Sequence, residues 1–79
     1  MKNVANIGDT LRTVAISANL SALKTILTNA AAVADEAHGF SLRDERNAAI
    51  GTVLVLESML KEAQALYGAA LALHTAKGL

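Results

Sequence analysis

Residues 16–41 read ISANLSALKTILTNAAAVADEAHGFS, and their spacing decides the fold. Ile16, Leu20, Leu23, Leu27, Ala30, Ala34 and Ala37 step by alternating fours and threes, which keeps side chains on one side of an α-helix. The same steps return in Ala49, Val53, Leu56, Leu60, Ala63, Tyr67 and Ala70. Between the stripes lies His38-Gly39-Phe40-Ser41, a stop-and-start signal. Gly39 suits the left-handed residue after a helix, and Ser41 suits an N-cap with Asp44 three positions on. The chain is therefore expected to be an all-α antiparallel hairpin, with helices at about 9–38 and 41–76. Residues 1–8 are expected to be a loose or partly helical lead-in, and Asp9 or Thr10 to cap the first helix. Gly51 and Gly68 fall inside the second helix at about 1 kcal/mol each relative to alanine, as marks of close packing or mild bends.

Both apolar arcs are wide. At 100° per residue each covers nearly half the helix circumference, more than a two-stranded seam needs. A lone hairpin gives each helix one neighbour and leaves half of each arc wet, so two hairpins are expected to pair into a four-helix bundle. Small residues (Ala30, Ala34, Ala37, Ala48, Ala49) line the loop end, and larger ones (Leu11, Ile16, Leu66, Tyr67, Leu71) line the open end. An antiparallel pairing sets small against large and fills the core evenly. The expected dimer-interface residues are Arg12, Ile16, Asn19, Leu20, Leu23, Ile26 and Leu27 on the first helix. On the second side they are Glu45, Val53, Leu56, Met59, Leu60, Ala63 and Tyr67. The same pairing brings Glu45 to the level of Arg12 in the other copy, and an intersubunit contact between them is expected. Asn19 lies within the arc, either buried to fix register and oligomeric state or at its edge in water. The outer side of the first helix (Ser17, Ala18, Ser21, Thr25, Thr28, Ala32) is weakly polar, an ordinary solvent side or a docking face.

Composition narrows the function. Seventy-nine residues form one small domain, of a size whose core alone supplies only about 3–5 kcal/mol. The sequence has no cysteine, which removes disulfides and thiolate metal sites, and no proline. Seven basic residues balance seven acidic ones without a basic stripe, so nucleic acid is not an expected partner. No charge-free stretch reaches the roughly 18–20 apolar residues of a membrane span, and the first residues lack the apolar run of a secretory signal. The expectation is a cytoplasmic protein with no membrane partner.

Candidate chemistry is sparse. His74-Thr75-Ala76-Lys77-Gly78 resembles the H-x-x-K-G core of histidine-phosphotransfer domains, which implies a phosphoryl-accepting His74 assisted by Lys77. Those domains place the histidine mid-helix on an exposed side, whereas His74 is expected on the apolar arc close to the last residue. Asp35-Glu36-Ala37-His38 is faintly similar to the E-x-x-H of carboxylate-bridged metal bundles, which also need inward glutamates from neighbouring helices. Serines and threonines are scattered on polar faces, and the two histidines fall at opposite ends of the hairpin, so no nucleophile–base pair forms. The five glycines are isolated and build no phosphate loop. No catalytic, cofactor-binding or metal site is expected. The leading expectation is a homo-oligomeric structural or protein-interaction protein. The alternatives are an adaptor that shares its apolar face with a different protein and a small-ligand binder at the alanine-rich loop end. Phosphotransfer through His74 is a remote third.

Overall fold

A 39-residue helix dominates the molecule. In the computed structural model, which describes residues 4–76, α1 spans Val4–Leu42, α2 spans Arg46–Val53 and α3 spans Leu56–Thr75. The chain reverses at 43–45, and α2 and α3 return along α1. The described residues are thus an all-helical hairpin.

The reversal differs from the expected one in position and in chemistry. α1 does not stop at His38 but runs four residues further, so Gly39 is helical and Ser41 caps nothing. The Ser41 hydroxyl instead donates back to the His38 carbonyl at 2.7 Å. Continuing through Gly39 carries Phe40 into the line of Val33 and Ala37, where it is half-buried beneath the Arg43 guanidinium, 5.0 Å from the ring centroid. The seam gained by Phe40 outweighs a glycine inside the helix, a cost of about 1 kcal/mol.

Asp44 takes the left-handed position that Gly39 was expected to fill, with φ 61°. The Glu45 amide donates to the Phe40 carbonyl at 2.9 Å, and the Asp44 amide donates to the Ser41 carbonyl at 3.1 Å. This pair of bonds is the Schellman closure, with aspartate where glycine is usual. Asp44→Gly is expected to stabilise the hairpin by about 0.5–1 kcal/mol by relieving the left-handed backbone, and Asp44→Val to destabilise it. Thermal melts of the two variants check the sign.

The second helix starts at Arg46 rather than Ser41, and Glu45 precedes it without a side-chain cap bond. α1 likewise begins at Val4, ahead of Asp9 and Thr10, which therefore are not its caps. The expected single helix over 41–76 is interrupted at 54–55. There the Val55 amide reaches the Thr52 carbonyl at 3.3 Å, and the Glu57 amide reaches the Leu54 carbonyl at 3.3 Å, both three residues back. Leu54 and Val55 keep right-handed helical angles, so the turn is tightened rather than broken. It falls just after Gly51, in the β-branched run Thr52, Val53, Val55, where helix propensity is lowest. Nothing comparable happens at Gly68, which lies inside α3.

Burial follows a strict seam. The only described residues under 9% exposed are Ala30, Ala37, Ala49, Ala63 and Ala70, and no large side chain is fully buried. Half-buried residues extend the same line: Arg12, Ile16, Asn19, Leu23, Ile26, Val33 and Phe40 on α1, then Thr52, Leu56, Met59, Leu66 and Leu73 opposite. Fours and threes alternate along both rows, the seven-residue repeat that keeps two helices in register over many turns. Alanines at the centre let the backbones approach closely. The result is a slab of 66 × 17 × 11 Å, only one helix thick.

Candidate interaction surface

One residue beyond Asn19, Ile26 and Val33 in the seam stand Leu20, Leu27 and Ala34. One residue beyond Thr52, Met59 and Leu66 stand Val53, Leu60 and Tyr67. The two helices run in opposite directions, so equivalent flanking positions fall on the same broad side of the pair. Counting outward from the 43–45 reversal sets Ala34 beside Val53, Leu27 beside Leu60, and Leu20 beside Tyr67. The grouping of Leu73 with Arg12 and Ala15 around one groove near the open end agrees with that count.

These side chains are open. Leu20 is 49% exposed, Leu27 47%, Leu60 55% and Tyr67 55%, and Leu71 and Ile50 are exposed on the rim of the same side. A shallow groove between Leu20, Leu23 and Leu27 is edged by Lys24, Thr28 and Ala31, and another beside Leu60 by Glu57, Lys61 and Gln64. Charge lies at its borders: Glu57 and Lys61 pair with each other at 3.5 Å along the edge, both well exposed, and the same seven-residue count puts Arg46 at the reversal end of the row and His74 at the open end. The opposite broad side is different. Its flanking positions are Ala15, Ala22, Asn29 and Glu36 on α1, and Ala48, Val55, Glu62 and Ala69 across from them. It is a surface of small residues and carboxylates, with Val55 exposed among them and Leu11 exposed on its rim.

The expected interface residues therefore divide in two. Ile16, Asn19, Leu23, Ile26, Leu56 and Met59 are half-buried, and Ala63 is buried, along the seam inside one hairpin. Leu20, Leu27, Leu60 and Tyr67 gather on the open side, with Val53 half-buried beside them. Arg12 and Glu45 stand at opposite ends of the molecule. Arg12 is half-buried next to Asp9 at 3.8 Å, with its Nε buried and without a hydrogen-bond partner. Glu45 is exposed and meets Arg43 at 3.3 Å. Asn19 is half-buried, and no group among the described residues bonds to its amide.

No family model, curated protein or solved structure matches this chain. The surface must speak through its own chemistry. His38 and His74 are both exposed and lie at opposite ends of the hairpin, as do Asp35 and Glu36 from any histidine on α3. Among the described residues no three His, Asp or Glu side chains are grouped to hold a metal ion. Lys77 and Gly78, the rest of the phosphotransfer-like pentad, lie outside the described residues. On the outer side of α1 the Thr25 hydroxyl donates to the Ser21 carbonyl at 3.2 Å and the Thr28 hydroxyl to the Lys24 carbonyl at 2.8 Å. Those donors are occupied within their own helix, which makes this side a weak recognition surface. No helix among the described residues is long and apolar enough to cross a membrane.

Ile50 stands on the rim of the open side and is absent from the expected interface residues. It follows Ala49 at the edge of the seam, and its position became readable only once the alanine row was known to be the centre.

Proposed function

We propose that the chain is a homo-oligomeric structural or protein-interaction protein without catalytic activity, in which two hairpins pair into a four-helix bundle. One observation carries the reading: the hairpin is one helix thick, and among the described residues no large side chain is completely buried. Its radius of gyration is 18.5 Å, where a compact domain of this length has about 12 Å. Its accessible surface of 6029 Å² is about a third more than the roughly 4,500 Å² of a compact monomer of this mass. A seam of five buried alanines and half-buried flanks leaves most of the available apolar burial unused, and a second copy supplies the missing neighbour.

Sedimentation across a concentration series tests this. The expected result is a species of twice 8.2 kDa at micromolar concentration, with a melting midpoint that rises as the protein is concentrated. Each tenfold increase adds about 1.4 kcal/mol to dimer stability, which moves the midpoint by several degrees. A monomer with a concentration-independent melt overturns the reading and favours an adaptor that folds fully only on a different protein.

A further inference from the structure

We infer that the second copy docks on the broad side formed by Leu20, Leu27, Leu60 and Tyr67, face to face and antiparallel, so that α1 lies along α1 of the partner copy. This rests on the homo-oligomeric reading and adds to it the surface and the orientation. The two broad sides of the slab are unequal. One carries four large apolar side chains about half exposed, with Lys24, Glu57 and Lys61 along its edge and Arg46 at the reversal end. The other carries mainly alanines with Asn29, Glu36 and Glu62, and its exposed apolar side chains are Val55 and, on the rim, Leu11. A carboxylate drawn into an apolar interface without a partner is costly, so the leucine side is the one that can be dried.

The area agrees. The surface in excess of a compact monomer is on the order of 1,500 Å² per chain. A standard interface removes about 800 Å² per partner, and obligate homodimers remove more. One face of a slab 66 Å long and 17 Å wide is large enough to supply it.

Orientation follows from size. Along this side the residues grade from Ala34 and Val53 near the reversal, through Leu27 and Leu60, to Leu20 and Tyr67. Consecutive members are seven residues apart on both helices, so the gradient is centred on Leu27 and Leu60. An antiparallel two-fold through that centre sets Leu27 on its own copy, Ala34 against Leu20 and Val53 against Tyr67. A two-fold along the helices would crowd two Tyr67 and two Leu20 into one layer and leave a void among four small side chains in another. Lys24 lies on the rim in the antiparallel arrangement and comes level with Ala30 of the other copy rather than with another lysine.

The absence of native cysteine makes the test direct. Single cysteines are placed in the full chain, and disulfide dimers are read on a non-reducing gel after mild oxidation. Leu27→Cys is expected to link to itself almost completely, and an equal mixture of Leu20→Cys and Ala34→Cys to yield the mixed dimer. Ala69→Cys, also exposed but on the other side, is expected to stay monomeric on the gel. Leu27→Glu is expected to weaken dimerisation by about 100-fold or more, because two carboxylates would meet in the dried centre. Ala69→Glu is expected to leave it unchanged. If the wild-type chain is a dimer and the Ala69→Cys variant is the one that links, the face is wrong while the homo-oligomeric reading stands. If linkage forms in a mixture of Leu27→Cys and Leu60→Cys but not in Leu27→Cys alone, the orientation is overturned. A wild-type monomer at every concentration overturns both the face and the reading beneath it.

Discussion

Ala63→Glu is expected to abolish the cooperative helical transition of this protein, the largest single-residue effect the structure implies. Ala63 is 7% exposed in the middle of α3, where the seven-residue spacing brings it opposite Ile26 on α1. A carboxylate there has no basic partner on the seam, since the seam's one cation, Arg12, lies near the open end. Burying an unpaired charge costs several kcal/mol unless it escapes to water or takes up a proton. Escape here means prising the two helices apart, because the close approach set by alanines leaves no room for a longer stem. A core of this size supplies only about 3–5 kcal/mol in all, so the penalty is comparable to the whole stability. The control is Ala65→Glu, two residues away and exposed, which is expected to melt within about 0.5 kcal/mol of the parent. Far-UV circular dichroism reads both. An Ala63→Glu chain that stays helical and melts cooperatively would mean that the alanine row is not the contact line.

The alanine row also explains what the sequence could and could not convey. The stripes at 16, 20, 23, 27, 30, 34, 37 and 49, 53, 56, 60, 63, 67, 70 are real, and they identified a hairpin because the residues recur on one side of each helix. Each stripe mixes two rows, however. Ile16, Leu23, Ala30 and Ala37 belong to the closed seam, while Leu20, Leu27 and Ala34 belong to the open side. Hydrophobicity gave no reason to put Leu27 outside and Ala30 inside. Position relative to the other helix did: the strict seven-residue seam takes Ala30 together with Leu23 and Ile26, and Leu27, one residue beyond it, falls on the flank. The same logic hid the reversal. Gly39 carried the strongest left-handed preference in the region, yet Phe40 gained more from staying in the helix, and the left-handed position passed to Asp44. The open side was legible only as excess apolar width. Its location on one face of the slab required knowing which residues the other helix had already covered.

Asn19→Leu is expected to raise stability by about 1–2 kcal/mol and, at the same time, to loosen the specificity of assembly. Asn19 occupies the seam between Ile16 and Leu23, half-buried, and the seven-residue count sets it opposite Ala70. No group among the described residues satisfies its amide, so the side chain gives up part of its hydration without a bond in return. Leucine keeps the γ-branched shape and heavy-atom count, is bulkier at its tip and has no polar group to desolvate, so it would add contact with Ala70 and Leu73. For a chain of this length each kcal/mol shifts the midpoint by roughly 4–8 °C, so the effect is easily measured in a thermal melt. The asparagine has a use that offsets this cost. A polar residue at a single seam position penalises every register in which it would be buried more deeply, and every arrangement that encloses it among further helices. Removing it lifts that penalty from the alternatives as well as from the native pairing. Sedimentation of the leucine variant is therefore expected to show mixed oligomers where the parent shows one. A variant that gains stability yet keeps a single species would assign register to the small-to-large gradient of the open side. One that loses stability would mean that Asn19 finds its bond in the second copy.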